Sequence, residues 1–351
     1  MSTFIQLHLL TSYPPSNLNR DDLGRPKTAV MGGKTRLRVS SQSLKRAWRV
    51  SDIFAEALKG HIGTRTKEMG IEIYNALTKK GVAERNAKEW AKRIAEVFGK
   101  CKKANKANPL EEIEIEQLAH FSPEEKGAIF SLVDKLASGK TAPTQDDLAL
   151  LMKKHSAVDI AMFGRMLASS PAYNTEAAVQ VAHALTVHEV AVEDDYFTAV
   201  DDLNSGDDDM GAAHIGETEF AAGVFYLYVC INRDLLIENI GGDKVLANKS
   251  LAALVEAAAK EAPSGKQNSF ASRAYASYIM AEKGAQQPRS LSVAFLKPIR
   301  GEDMMSRAIT ELEGKREAME KVYGPCADDH KIMNANTAEG SLDAIIAFIK
   351  E

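Results

Sequence analysis

Hydrophobic and polar residues alternate along several short segments of the chain, which is the pattern of strands with one buried face. In residues 2–12, Ile5, Leu7 and Leu9 share one face, and Gln6 and His8 lie on the other. We therefore predict a half-buried strand there. Similar patterns predict further strands over residues 35–40, 157–166, 177–190, 223–232, 273–282 and 290–299.

Apolar residues recur at helical spacing in the middle of the chain. Helices are predicted over residues 88–103, 123–139 and 144–154, the last with Thr144 as its N-cap. Another is predicted over 242–262, a short one from Ser41, and two near the chain end. Because strands flank the helical segment 60–154, we predict a single α+β domain with a helical insertion rather than two tandem domains.

Composition places the chain among ordinary globular proteins. It has 351 residues, of which 45% are hydrophobic and 26% charged. Its three cysteines are far apart and form no paired motif, as expected for free thiols in a reducing compartment. Because no signal peptide or apolar run of about 20 residues is visible, we expect a cytoplasmic protein without membrane contact.

Charge is distributed unevenly along the chain. The whole chain is slightly acidic, with 44 Lys and Arg against 48 Asp and Glu. Nevertheless, the segment from Leu23 to Val50 contains no carboxylate. It carries eight bases, namely Arg25, Lys27, Lys34, Arg36, Arg38, Lys45, Arg46 and Arg49. A cluster of this kind predicts a binding site for a polyanion.

The spacing of these bases favours phosphate as the ligand. Arg36 and Arg38 are predicted on the same face of one strand, and Lys45 and Arg49 are one turn apart on the following helix. Between them, the polar turn Ser40–Ser43 exposes backbone N–H groups at a helix N-terminus, where anions bind. Arg20, Lys27 and Lys34 add charge from the preceding loop. RNA or single-stranded DNA fits this arrangement better than a mononucleotide, because no phosphate-binding glycine motif is present.

A second unusual segment is acidic. Residues 193–219 contain ten carboxylates and no Lys or Arg, and they carry Tyr196 and Phe197. Neighbouring residues on a strand face opposite sides, so both rings cannot enter one core, and we predict a protruding element. Tyr196, Phe197, Phe163 and Met166 are candidate wedges between nucleic-acid bases.

Several longer motifs resemble one known family. They are "NLNRDD", "GGKTRLRVSSQSLKRAWR", "VDIAMFGRM", "VAHALTVH", "DYFTAVDDL", "AHIGETEFAAGVFYLY" and "GKQNSFA". Between residues 18 and 271 the chain is similar to CasC, the backbone subunit of type I-E CRISPR Cascade. The resemblance implies a modified RNA-recognition, ferredoxin-like palm over 1–59 and 155–351. It also implies helical fingers over 60–154 and a β-hairpin thumb over 193–216.

The resemblance also implies which residues contact RNA. Palm positions facing the guide backbone match Arg20, Lys27, Ser40, Gln42, Lys45, Arg46 and Arg49. Met166 matches an apolar residue at the RNA kink, and a loop near the RNA matches Lys266 and Gln267. The thumb wedge matches Tyr196, Phe197, Val200 and Ile215, although the family more often has Trp at the first of these positions. With Lys34, Ser41 and Arg165, these residues form the predicted RNA-binding set.

The implied partners are a CRISPR RNA, target DNA paired to that guide, further copies of the chain, and other Cascade subunits. Those subunits are the cap, the guide-processing subunit, and the large and small subunits. We expect no cofactor, no metal and no catalysis. The main alternative is a metal-dependent endoribonuclease, as in related type III subunits, using Asp21 and Asp22. A metal module within residues 194–209 lacks calcium-loop spacing, and no helix-turn-helix pattern supports a DNA-binding regulator.

Overall fold

The computed structural model describes residues 2–199 and 214–351, without the side chains of residues 214 and 215. These residues divide into two compact units, which we call the sheet unit and the helical unit. The sheet unit comprises Met1–Phe54, Gln180–Asn232 and Leu251–Glu351, and the helical unit comprises Ala55–Val179 and Arg233–Ser250. The predicted insertion, residues 60–154, lies inside the helical unit.

The strands form one large antiparallel sheet and one small ladder. In chain order they are β1 (Phe4–Ser16), β2 (Thr28–Met31), β3 (Lys34–Val39), β4 (Thr64–Thr66), β5 (Ala119–Phe121), β6 (Val179–Val181), β7 (Ala184–Thr186), β8 (Glu193–Ala199), β9 (His214–Asn232), β10 (Ala276–Gly284) and β11 (Asp329–Asn334). The large sheet has the order β11-β10-β1-β9-β7-β3-β2, with β6 and β8 also paired to β9, and β4 pairs with β5.

The helices account for most of the remaining chain. In chain order they are α1 (Ser41–Arg49), α2 (Asp52–Ala57), α3 (Met69–Lys79), α4 (Glu84–Glu96), α5 (Pro123–Gly139), α6 (Val158–Phe163), α7 (Arg233–Asn239), α8 (Lys244–Lys260), α9 (Gln267–Phe270), α10 (Met304–Tyr323) and α11 (Leu342–Lys350). No helix among the described residues is long and apolar enough to cross a membrane.

Strand β1 lies inside the sheet, between β10 and β9. The prediction that only one of its faces is buried is therefore wrong. Residues 5–10 are all buried, including the two polar ones. His8 bonds through Nδ1 to the Tyr226 hydroxyl (2.9 Å) and through Nε2 to the Glu282 carboxylate (3.0 Å). Gln6 Oε1 accepts a hydrogen bond from the Tyr228 hydroxyl (2.8 Å). Paired polar groups can therefore occupy the second face of a fully covered strand.

The helical unit has its own apolar core, formed by the facing sides of α3, α4 and α5. Its buried residues include Ile73, Trp90, Ile94 and Val133. Helix α5 begins where its sequence predicts. Ser122 Oγ accepts from the Glu125 backbone N–H (3.1 Å), and the Glu125 carboxylate accepts from the Ser122 N–H (2.9 Å). This reciprocal pair satisfies two N–H groups that a helix start leaves unpaired.

The predicted α+β class is confirmed, but four predicted elements are wrong. The segment 157–166 contains helix α6 rather than a strand. Val158–Met162 is buried on all sides, so its hydrophobic pattern shows no helical period that would have distinguished a helix from a buried strand. Residues 290–299 contain only a 3-10 turn, Ser292–Phe295. The segment 177–190 breaks into β6 and β7. The Thr144 hydroxyl accepts from the Asp147 N–H (3.3 Å), but the predicted helix over 144–154 is reduced to one 3-10 turn, Asp146–Leu148.

Candidate nucleic-acid interface

The loop between β1 and β2, residues 17–27, is held rigidly by two side chains. Asn17 is fully buried, and its Nδ2 donates to the carbonyl oxygens of Gly24 and Glu219 (2.9 Å each). Asp21 Oδ1 accepts from the backbone N–H groups of residues 23 and 25 (2.9 Å each). The loop therefore presents Arg20, which is exposed, on a fixed backbone.

Asn19 joins this loop to the start of α1. Its Oδ1 accepts from the Ser40 backbone N–H (2.9 Å), and its carbonyl oxygen accepts from the Lys27 N–H (2.8 Å). Ser40 is the N-cap of α1, and its Oγ accepts from the Ser43 N–H (3.3 Å). Lys27 and the helix N-terminus thus lie together, as the sequence predicts.

The first turn of α1 has backbone N–H groups that can donate hydrogen bonds to an anion. The N–H groups of Ser41 and Gln42 meet no acceptor within residues 2–199 and 214–351. The Ser41 hydroxyl donates to Gln42 Oε1 (3.4 Å), and the Gln42 side chain is exposed. No acidic residue occupies this turn. The turn can therefore accept a phosphate oxygen through its backbone.

The basic side of α1 continues from this turn. Leu44 and Trp48 are buried, whereas Arg46 is exposed and Lys45 and Arg49 are partly exposed. Lys45 is half-buried, and partial burial lowers the pKa of its ammonium group. A half-buried cation exchanges fewer water contacts when an anion binds, which favours a phosphate there.

The loop at residues 264–267 packs beside the β1–β2 loop. Gly265 approaches the carbonyl oxygen of Leu18 so closely that a Cβ would collide with it. This contact places Lys266 and Gln267 next to the loop that carries Arg20. Lys266 is exposed and adopts a left-handed backbone (φ 51°). We call Arg20, Lys27, Ser40–Arg49 and Lys266–Gln267 the basic surface.

Not every base of the cluster reaches this surface. Arg36 is completely buried, and its two terminal nitrogens donate to the carbonyl oxygens of Thr186 and Phe295 (2.9 Å each). The prediction that it faces an anion is wrong, because β3 turns this side chain into the sheet unit. Lys34 forms an exposed ion pair with Glu189 (3.1 Å), which solvent and salt weaken.

The acidic hairpin, formed by β8 and the start of β9, exposes both predicted aromatic residues. Every residue of β8 is exposed, with Tyr196 at 65% and Phe197 at 43%. The Phe197 ring covers Gly216 on β9, where a Cβ would collide with it. Val200 lies outside the described residues, as does the Ile215 side chain. Their predicted contacts with RNA stay predictions.

Arg165 and Met166 belong to the helical unit. The Arg165 side chain is buried, pairs with Glu125 (2.6 Å) and donates to three backbone carbonyls. Its prediction as an RNA ligand is therefore corrected: this guanidinium organises the helical unit. Met166 is 80% exposed and lines a cavity of about 210 Å³ with Phe98 and Leu118, so it remains available for a base.

The geometry gives little support to the alternative function, a metal-dependent endoribonuclease that uses Asp21 and Asp22. The Asp21 carboxylate closes a turn, and no group of three or more metal-ligating side chains exists among the described residues. His188 is bonded to the backbone. Its Nδ1 bonds to the Glu189 carbonyl (2.9 Å), and its Nε2 accepts from the Val224 N–H (3.1 Å).

Sequence reasoning missed the roles of Asn17, Asn19 and Gly265, which hold the loops of the basic surface together. Asparagine and glycine in a loop usually indicate a turn. Asn17 bonds to a residue 202 positions away, Asn19 bonds to Ser40, and Gly265 contacts Leu18. No local pattern in the sequence reports such bonds.

Three comparisons relate the chain to known proteins. The family model described as "CT1975-like protein" matches residues 5–347. A chain from a solved "CRISPR RNA-guided surveillance complex, pre-nicking" is 31% identical, with a TM-score of 0.84 and 99% of each chain covered. A second, from a "CRISPR RNA-guided surveillance complex", is 26% identical, with a TM-score of 0.74 and the same coverage. No curated protein matches significantly.

Proposed function

Because the chain belongs to the CT1975-like family, we propose that it binds a CRISPR RNA along its phosphate backbone as a repeated subunit of a Cascade surveillance complex. In this proposal residues 1–59 and 155–351 are the palm of this subunit, residues 60–154 are the fingers, and the acidic hairpin, within residues 193–216, is the thumb. Successive copies assemble along one guide and present its segments for pairing with target DNA. The resemblance to CasC backbone subunits, first seen in sequence motifs, is confirmed by the family and by both structural matches.

One observation carries the proposal. Three separate chain segments meet at the basic surface: the β1–β2 loop, the start of α1 and the loop at 264–267. They bring together cationic side chains and the backbone N–H groups of Ser41 and Gln42, which meet no acceptor in the described part of the chain. Arg, Lys and helix N-termini are the usual ligands of nucleic-acid phosphates, and they read no sequence directly. A subunit of this kind can hold any guide, whose sequence is read by base pairing.

The acidic hairpin fits the same role. Its described part carries Glu193, Asp194, Asp195, Glu217 and Glu219, and these carboxylates repel RNA phosphates. An element that must insert between bases benefits from this repulsion, because it disfavours contact with the backbone. We propose that Tyr196 or Phe197 inserts beside a base of the guide bound by an adjacent copy. Holding and displacing RNA requires no bond-breaking step, so we propose no enzymatic activity.

The test of this function is purification of the tagged chain from cells that also express the other subunits and a CRISPR array. The proposal predicts that processed RNA of one uniform length co-purifies with several copies of the chain. A matched preparation carrying Lys45→Ala/Arg49→Ala should recover much less RNA. Recovery of RNA of random length, or equal recovery by both preparations, would contradict the proposal.

A further inference from the structure

The sheet unit has a cleft of about 560 Å³ beside the first turns of α10, to which the proposed function assigns no role. Three of its lining residues are apolar and buried or half-buried, namely Ala294, Pro298 and Ile299. Three exposed cations, Lys297, Arg300 and Arg307, also line it, together with one carboxylate, Glu311. Such a lining fits a partner that combines a large apolar or aromatic side chain with negative charge.

The three cations of the cleft are available to a partner in different ways. Arg307 is held in one position, because its Nη1 donates to the Arg300 carbonyl oxygen (2.8 Å) and its guanidinium lies against Gly301. Lys297 and Arg300 form no ion pair with any residue of the described ranges 2–199 and 214–351. A guanidinium that is already positioned can stack on an aromatic ring with little loss of entropy.

The opposite end of α10 has the complementary character. Tyr323 is 80% exposed and Val322 is 74% exposed. Three of the four charged side chains exposed on the last turns of α10 and in the following loop are acidic, the four being Glu317, Lys321, Asp328 and Asp329. We call residues 317–329 the α10 tip. It presents an exposed aromatic ring together with net negative charge, as the cleft requires of its partner.

The cleft and the α10 tip cannot meet within one copy of the chain. Helix α10 is continuous from Met304 to Tyr323. The sixteen residues from Arg307 to Tyr323 therefore hold the two surfaces about 24 Å apart. Two different, complementary surfaces on one chain make a head-to-tail contact, which repeats from copy to copy instead of closing a dimer.

We propose that the α10 tip of one copy docks in the cleft of the next, with the Tyr323 ring on Arg307 and the acidic side chains beside Lys297 and Arg300. The inference rests on the proposed function, in which copies line one guide, and adds a direct contact between the proteins. One anchor residue and a few ion pairs form a small and weak interface. RNA that holds two copies side by side raises their effective concentration. The contact then acts together with the acidic hairpin, and neither assembles copies alone.

The test is a titration of the full chain onto two RNAs, followed by sedimentation. The short RNA has room for one copy, and the long RNA has room for several. Tyr323→Ala should bind the short RNA as wild type does, and addition of each further copy to the long RNA should weaken about 10- to 30-fold. Val245→Ala is the matched control, because Val245 is also 80% exposed on a helix, α8, and should assemble like wild type.

Charge reversal tests whether these two surfaces meet each other. Lys297→Glu/Arg300→Glu reverses the cleft, and Glu317→Lys/Asp329→Lys reverses the α10 tip. Each double variant should lose cooperative assembly on the long RNA and retain wild-type affinity for the short one. The variant that carries all four substitutions should recover cooperativity to within about three-fold of wild type, because opposite charges then face each other again.

Wild-type assembly by Tyr323→Ala, or a four-fold variant no better than the cleft variant, would overturn the proposal. So would weaker binding of the short RNA, or of a DNA duplex, by the cleft variant when the tip variant binds normally, because the cleft would then hold nucleic acid. Should wild type bind no RNA at all, the proposed function itself fails. Cooperative assembly that none of these variants changes removes only the contact between the cleft and the α10 tip.

Discussion

The basic surface and the acidic hairpin belong to the same sheet unit, but they are built in opposite ways. The backbone beneath the basic surface is fixed by side-chain bonds from Asn17, Asn19 and Asp21. In the hairpin, all residues of β8 are exposed, and their backbones pair with a single neighbouring strand, β9. Phosphates must be held at fixed distances, which requires a rigid support. Insertion between bases requires an element that extends away from the sheet and whose negative charge is repelled by the phosphates.

The two regions are nevertheless joined at one place. Glu219 of β9 forms an ion pair with Arg25 (3.0 Å), and its carbonyl oxygen accepts from Asn17 Nδ2 (2.9 Å). The base of the hairpin is therefore attached to the loop that presents Arg20. Removing the hairpin beyond this attachment should leave the basic surface intact, so the two roles can be separated experimentally.

The largest effect is expected from that removal. Replacing residues 193–216 by a short Gly-Ser linker retains Glu219 and should leave the affinity for a short oligonucleotide unchanged within about two-fold. Cooperative assembly on long RNA should be lost, because neighbouring copies no longer contact the same guide. Sedimentation of the chain with RNAs of increasing length measures this. Phe197→Ala should weaken assembly more mildly, and wild-type cooperativity in the linker variant would show that the hairpin is not a thumb.

Removing two cations from the basic surface should have the next largest effect. Lys45→Ala/Arg49→Ala should weaken binding of any RNA sequence by about 25-fold at 0.1 M salt, since each lost phosphate contact flattens the logarithmic salt dependence by about 0.7. Fluorescence anisotropy at several salt concentrations measures affinity and slope together. Lys315→Ala/Lys321→Ala on α10 is the control with equal charge loss. An unchanged slope in the first variant would place the RNA elsewhere.

A backbone substitution tests the helix N-terminus. Ser41→Pro removes one N–H, and proline is well tolerated at the first position of a helix. Ser40 already has the extended backbone (ψ 145°) that a following proline requires. We expect about 10-fold weaker RNA binding, because hydrogen bonds to charged groups are worth about 1.5–3 kcal/mol, with an unchanged circular dichroism spectrum. Gln42→Ala should matter less. Affinity equal to wild type would exclude a phosphate at this turn.

The smallest effect concerns Asn19, which only positions the ligands. Asn19→Ala removes the acceptor of the Ser40 N–H and should lower the free energy of unfolding by about 1 kcal/mol. RNA affinity should fall a few-fold with no change in salt slope, since no cation is lost. Chemical denaturation and anisotropy measure the two effects. A flatter slope would mean that Asn19 contacts phosphate directly.

Much of the fold was predictable because its elements carry local signals. Helix α5 has a capping box and a proline in its first turn, and α1 has Ser40 as its cap. Helix α6 was not predictable in the same way. Val158–Met162 is buried throughout, including Asp159, and a short segment that is buried on all sides has no period that distinguishes a buried helix from a strand.

The candidate site shows the same limit. The density of charge predicted the basic surface, but it gave equal weight to Arg36 and Lys45. Only the distant carbonyls of Thr186 and Phe295 show that Arg36 belongs to the interior. Arg165 likewise belongs to the predicted RNA-binding set, but it is buried and paired with Glu125, 40 residues away. The density of charge in the sequence indicates that a binding site exists. Contacts between residues far apart in the chain decide which side chains belong to it.

The most direct test of the account is the salt dependence of wild-type binding to two short RNAs of unrelated sequence. With about six phosphate contacts, the logarithm of the binding constant should fall with the logarithm of salt concentration at a slope of about −4. Both RNAs should share this slope and an affinity equal within about two-fold. A slope near zero, or a strong preference for one sequence, would contradict the claim that the basic surface holds the RNA by its backbone.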